Sequence, residues 1–213
     1  MLARLCGVLA EACLYLVTPA LERARLQALL DGGVDLVQLR IKRAPDVEVL
    51  REATWMRAAC ADAGVGFLLN DRPDLAVTAG ADGVHVGQDD VTPAAARATV
   101  GPGAIVGLST HAPEQLAAAP AEADYVVVGP VWETPTKPGR AAAGLAYVAH
   151  AASQPTARPW FAIGGIDTTN VHAVVEAGAR RIVVVRALVH AADPAQAAAT
   201  LKAALTEVPV GIT

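Results

Sequence analysis

Apolar residues recur along the chain in short unbroken runs rather than in polar–apolar alternation. Eight such runs stand at 13–18, 34–39, 65–69, 83–86, 104–108, 125–128, 160–163 and 182–185. A run without alternation suits a strand covered on both faces. Between the runs the apolar spacing becomes helical or the composition turns alanine-rich, as at 21–30, 47–63, 93–99 and 168–177. Strand and helix in alternation require right-handed crossovers and a parallel sheet. Eight such units in 213 residues predict a small (β/α)8 TIM barrel, α/β in class, with residues 1–213 forming one domain. The rival is an open, doubly wound sheet. Its first strand would lead into a G-x-G-x-x-G turn, whereas the first run here ends in Pro19-Ala20. Punctuation agrees with the barrel. Gly32-Gly33, Gly64, Gly80 and Gly178 fall where helices end, and Asp35, Asp82 and Asp124 fall near strand starts.

In a barrel the carboxyl ends of the strands share one rim, and that rim carries the chemistry. Polar residues gather there. Gln38, Arg40 and Lys42 follow the second run, Asn70 and Asp71 the third, and Asp90 the fourth. Ser109 and His111 follow the fifth; Thr134, Thr136 and Lys137 the sixth; Gly164 and Gly165 the seventh; Val185 and Arg186 close the eighth. Two carboxylates on one rim, Asp71 and Asp90, are how Mg²⁺ is held for a phosphate-bearing substrate. Either aspartate alone reads equally well as a helix cap. Glycines after the seventh strand match the barrel phosphate site, where backbone N–H groups approach an anion closely. The rim thus has room for a phosphate near Gly165, Val185 and Arg186. It also has room for a diphosphate near Arg40, Lys42, Lys137 and the metal. The longest irregular stretch, 130–144, falls on the same rim and is read as a functional loop.

Composition narrows the partners. The net charge of −4 (17 − 21) leaves no basic footprint for nucleic acid. No apolar run approaches the ~20 residues of a membrane span. Cys6, Cys13 and Cys60 have no paired spacing, give neither a disulfide framework nor a zinc pattern, and suit a reducing cytoplasm. Only three lysines occur, Lys42, Lys137 and Lys202, against an arginine-rich background. Two of them sit in rim loops, where a compact point charge is useful. The partners expected are small-molecule substrates, and a homo-oligomer is compatible with the sequence. His85 and His111 read as structural hydrogen-bonding groups rather than proton carriers.

The motifs fall in a recognisable order. They are Tyr15-Leu16-Val17-Thr18, Val37-Gln38-Leu39-Arg40-Ile41-Lys42, Asn70-Asp71-Arg72-Pro73-Asp74 and Gly83-Val84-His85-Val86-Gly87-Gln88-Asp89-Asp90. Gly107-Leu108-Ser109-Thr110-His111, Gly129-Pro130-Val131, Thr134-Pro135-Thr136-Lys137 and Ala162-Ile163-Gly164-Gly165-Ile166 follow. Over nearly its whole length the chain resembles the thiamine-phosphate synthase family. The resemblance implies joining of hydroxymethylpyrimidine diphosphate to hydroxyethylthiazole phosphate, giving thiamine phosphate and diphosphate. It implies that Gln38, Arg40, Lys42, Asn70, Ser109 and Lys137 bind the pyrimidine diphosphate and that Asp71 and Asp90 hold Mg²⁺. Arg40, Lys42, Ser109 and Lys137 would carry the catalytic roles. Thr134, Thr136, Gly165, Val185 and Arg186 would line the thiazole phosphate site. One departure stands out: the family often has serine where this chain has Arg186. The alternative reading, a thiazole tautomerase on the same barrel, would need the phosphate site but not the carboxylates.

Overall fold

A computed structural model describes residues 2–134 and 141–206 of the chain. The elements alternate from α1 (Leu2–Glu11) through β1 (Leu14–Thr18), α2 (Arg23–Asp31), β2 (Leu36–Leu39), α3 (Asp46–Asp62), β3 (Gly66–Asn70), α4 (Pro73–Ala79), β4 (Gly83–Val86) and α5 (Pro93–Val100). They continue with β5 (Ile105–Thr110), α6 (Pro113–Ala117), β6 (Tyr125–Val128), α7 (Gly144–Ser153), β7 (Trp160–Ile163), α8 (Val171–Glu176), β8 (Ile182–Val184), α9 (Arg186–Val189) and α10 (Pro194–Thr206). The eight strands are all parallel, pair in sequence order, and close β8 onto β1 through Leu14, Tyr15 and Leu16. The fold is a (β/α)8 barrel, as the alternation requires.

Two layers of core explain the unbroken apolar runs. Outward-facing strand residues such as Leu14, Leu16, Val37, Phe67 and Val84 pack against the helices. Inward-facing residues such as Tyr15, Leu36, Leu68, Tyr125 and Phe161 fill the barrel. Buried on both faces, a strand has no position at which a polar residue is free of cost. Leu9 of α1 and Ala12 just past its end join the interior cluster, with Val8 packed against it, and so cover the amino-terminal mouth. The fit there is tight: a methyl group added at Gly66 would lie 2.9 Å from Val8.

The aspartates at strand starts have a shared use. Asp35, before β2, accepts from the backbone N–H groups of Cys13 and Leu14 at 2.9 Å each. Asp82, before β4, accepts from Phe67 N–H at 2.9 Å, and Asp124, before β6, accepts from Val106 N–H at 2.7 Å. Each carboxylate therefore ties its own strand to the start of the preceding one. Lys202 pairs with Asp35 and Arg97 with Asp124. Before β8 the corresponding position is Arg181, whose guanidinium donates instead to the carbonyls of Ala12 and Ala10, at 3.0 and 2.7 Å.

Among the boundaries that shift from the sequence pattern, two shape the rim. The helix expected over 168–177 begins at Val171, because Asp167 accepts from Thr169 N–H at 2.8 Å and holds 167–170 as a turn. The eighth strand stops at Val184. Val185 leaves it (φ −117°, ψ −86°) to cap α9.

Candidate active site

The sequence-predicted polar residues that the structure describes stand on the carboxyl rim. They divide into two groups. Asn70 ends β3, and Arg40, Lys42, Asp71 and Asp90 stand beyond β2, β3 and β4. Across the mouth lies a cavity of about 560 Å³ whose lining includes Ser109, Thr134, Gly165, Val185 and Arg186. Thr136 and Lys137 lie outside the described residues, as does the middle of the 130–144 loop.

Asp71 is not a helix cap. It stands in the left-handed region (φ 63°), a conformation that short polar side chains tolerate better than most. Its N–H donates to His85 O at 2.9 Å, which anchors the turn to β4. The cap position of α4 belongs to Arg72, and that of α5 to Thr92, whose hydroxyl accepts from Ala95 N–H. Asp90 is committed elsewhere too: one carboxylate oxygen accepts from Gly87 N–H at 2.8 Å. A methyl group at Gly87 would sit 2.8 Å from that oxygen, so a larger residue there would displace the Asp90 carboxylate.

The turns bring the two carboxyls within hydrogen-bond reach of each other. Lys42 Nζ approaches Asp71 at 3.2 Å. Burial pushes the Asp71 carboxyl above its ordinary range, the Asp90 carboxylate beside it adds to the rise, and Lys42 opposes both. Two anionic groups pressed together with one exposed cation beside them suit a divalent ion. Among the described residues no third His, Cys, Asp or Glu joins the pair. A pair of carboxylates is the kind of protein contribution Mg²⁺ takes where water and substrate phosphate complete its shell.

The opposite half is built from backbone. Gly164 (φ 112°) and Gly165 (φ 69°) adopt conformations that favour glycine. A methyl group at Gly164 would lie 2.6 Å from Pro130, so the close approach of the β6 loop to the end of β7 needs glycine there. Arg186 is exposed at the start of α9, and among the described residues no carboxylate pairs with it.

Sequence reasoning overlooked the tyrosines that join these residues through the barrel interior. Gln38 is buried, 2% exposed, and its amide is engaged on both sides. It donates to Asn70 Oδ1 at 2.8 Å and accepts from Tyr15 Oη at 2.6 Å. Tyr15 and Tyr125 hydroxyls are 3.0 Å apart. His85 reaches Tyr125 Oη through Nδ1 at 2.8 Å and Ser109 Oγ through Nε2 at 2.9 Å. Gln88 also serves Ser109, donating to its carbonyl at 2.7 Å. His111 is held through Nδ1 by the Gly129 carbonyl at 2.6 Å. Both histidines are thus placed by hydrogen bonds. The tyrosines carry no signal in the sequence, since an aromatic residue in a buried run reads as core.

Comparison with known proteins identifies the family. A family model described as thiamine monophosphate synthase matches residues 14–188. The thiamine-phosphate synthase of Thermus thermophilus is 54% identical over 197 residues, covering 89% of this chain and 95% of that protein. That of Acidothermus cellulolyticus is 50% identical over 204 residues, covering 92% and 96%. Among solved structures, thiamine phosphate pyrophosphorylase from Pyrococcus furiosus superposes with a TM-score of 0.85 at 28% identity, covering 94% of this chain and 98% of that one. The chain belongs to the thiamine monophosphate synthase family, as a transferase of thiamine biosynthesis built on a TIM barrel.

Proposed function

We propose that the chain joins hydroxymethylpyrimidine diphosphate to hydroxyethylthiazole phosphate, with Asp71 and Asp90 holding Mg²⁺ and the Gly165–Arg186 side holding the thiazole phosphate. The observation that carries this reading is the pressed pair of carboxyls, with Lys42 beside it, facing a glycine-lined cavity on the same rim. A diphosphate leaving group needs charge neutralisation, and a second anionic substrate needs its own cradle.

In this reading the pyrimidine C–O bond breaks and its electron pair leaves with diphosphate. The methylene cation left behind is stabilised by the aminopyrimidine. The thiazole nitrogen then donates its lone pair to form the new C–N bond. When bound, Mg²⁺ supplies positive charge against the diphosphate oxygens. Arg40, Lys42 and Lys137 add fixed positive charge where negative charge develops. Asn70 and Ser109 orient the pyrimidine, with Gln38 behind Asn70. Thr134, Thr136, Gly165 and the backbone at Val185-Arg186 hold the thiazole phosphate in line for attack. Because the cation is captured by the second substrate, no protein nucleophile is required.

The test is diphosphate release from the two substrates with and without Mg²⁺. Release that needs both substrates and the metal is expected. Release indifferent to Mg²⁺ would remove the roles of Asp71 and Asp90. Isomerisation of a thiazole carboxylate phosphate without any pyrimidine would favour the tautomerase reading instead.

A further inference from the structure

Six side chains from six consecutive strands form one hydrogen-bonded chain through the barrel: Asn70, Gln38, Tyr15, Tyr125, His85 and Ser109. Its two ends emerge on opposite halves of the rim. Asn70 stands next to Asp71, and Ser109 lines the cavity. Everything between is buried. The rings cannot swing away. Tyr15 and Tyr125 pack edge-on at 6.0 Å between centroids, and Phe161 packs edge-on against both at 5.6 Å. Gly107 makes room for Tyr125, since a methyl group there would collide with the ring.

Such a chain has a direction. Each phenol owns one proton, and a neutral imidazole owns one. Gln38 turns its NH₂ to Asn70 Oδ1, so its oxygen takes the Tyr15 proton. The Tyr15 oxygen must then accept from Tyr125. The Tyr125 oxygen must in turn accept from Nδ1–H of His85. That leaves His85 Nε2 with its lone pair, to which Ser109 gives its proton. Turning both amides over would reverse every link and leave Ser109 as a donor to the cavity. Burial keeps both phenols well above their ordinary pKa and so holds them protonated.

We propose that Tyr15, Tyr125 and His85 are positioning residues. They transmit the amide orientation at Asn70-Gln38 across the barrel, hold His85 as the Nδ1–H tautomer, and present Ser109 to the substrate as a hydrogen-bond acceptor. The last element rests on the assignment of the pyrimidine substrate above, whose exocyclic amine supplies N–H donors for such an acceptor. A merely structural network would satisfy its buried atoms in either direction. A positioning network is used in one direction only.

The test uses ¹⁵N-histidine-labelled protein without ligands, with the His85 signals assigned by their loss in His85→Gln. A pyrrole-type Nδ1 and a pyridine-type Nε2 are expected in the parent protein. In Tyr15→Phe, Tyr125 loses its acceptor and turns its proton toward His85. The two nitrogen signals should then exchange character, and kcat should fall roughly tenfold, the worth of one misdirected buried hydrogen bond. The KM for the thiazole phosphate should not move. An Nε2–H tautomer in the parent protein would overturn the proposal. So would a Tyr15→Phe protein in which neither the tautomer nor kcat changes. A parent protein with the expected tautomer but no turnover would sink the substrate assignment while upholding the polarity of the chain.

Discussion

The aspartates at the two ends of the barrel are the same residue under opposite constraints. At the amino-terminal end, Asp35 accepts from two backbone N–H groups and pairs with Lys202; Asp124 accepts from Val106 N–H and pairs with Arg97. Negative charge there is met by donors from the fold itself. At the carboxyl end, Asp71 and Asp90 stand side by side; burial first, and the neighbouring Asp90 next, raise the Asp71 pKa, against the pull of Lys42. One end commits its carboxylates to cohesion, while the other holds them in a state that a cation would relieve. Strand β8 repeats the contrast with arginine. Arg181 at its start is bound to two carbonyls, and Arg186 just past its end is exposed.

The largest effects should separate the ends most cleanly. Asp71→Asn and Asp90→Asn should each lower Mg²⁺-dependent turnover by on the order of 10²-fold or more, with the fold intact by circular dichroism. Normal turnover in both variants would erase the distinction. Asp35→Ala should do the reverse. It strands two backbone donors and costs about 2–3 kcal/mol, roughly 5–10 °C in Tm for a chain of this size, with turnover per folded molecule unchanged. A calorimetric scan checks it.

Arg186→Ser should raise the KM for the thiazole phosphate roughly tenfold or more, the value of one charge-assisted hydrogen bond, while leaving Tm alone. An unchanged KM would mean that the backbone alone holds the phosphate. The smallest effect has an unusual sign. Because the Asp71 pKa is raised, ionising it costs native-state stability, and the cost sets in as pH climbs past the ordinary carboxylate range. In EDTA at neutral pH, Asp90→Asn should therefore be more stable than the parent by a few tenths of a kcal/mol to about 1. Adding Mg²⁺ should stabilise the parent more than the variant. A variant less stable than the parent in EDTA would show that the pair is already satisfied without a cation.

Much of this is legible in the sequence. The strands announce themselves because both faces of each are buried, which removes polar residues from the runs. The rim residues are legible because polar side chains just past a buried run have only one place to go. Position along a run separates the aspartates at strand starts from those on the rim, but does not show what each one faces. Asp35 and Asp71 both neighbour apolar runs, and only the left-handed turn at Asp71 and the course of the chain reveal what each one faces. Nor can the runs show which of their residues point inward. Tyr15 and Tyr125 sit among Leu and Val, and their hydroxyls gain meaning only when closure of the barrel brings them 3.0 Å apart. The start of α8 departs from the helical spacing because Asp167 favours a side-chain turn over a helical one.

The packed interior leaves the barrel one working end. Leu9 of α1 and Ala12 just past it join Tyr15, Leu36, Leu68, Tyr125 and Phe161 in filling the barrel, so the cavity is reached from the carboxyl rim. On the proposed reaction, two substrates and two products would share that rim. Shared use of one entrance would couple the order of arrival to the order of departure, however fast the bond-making step becomes.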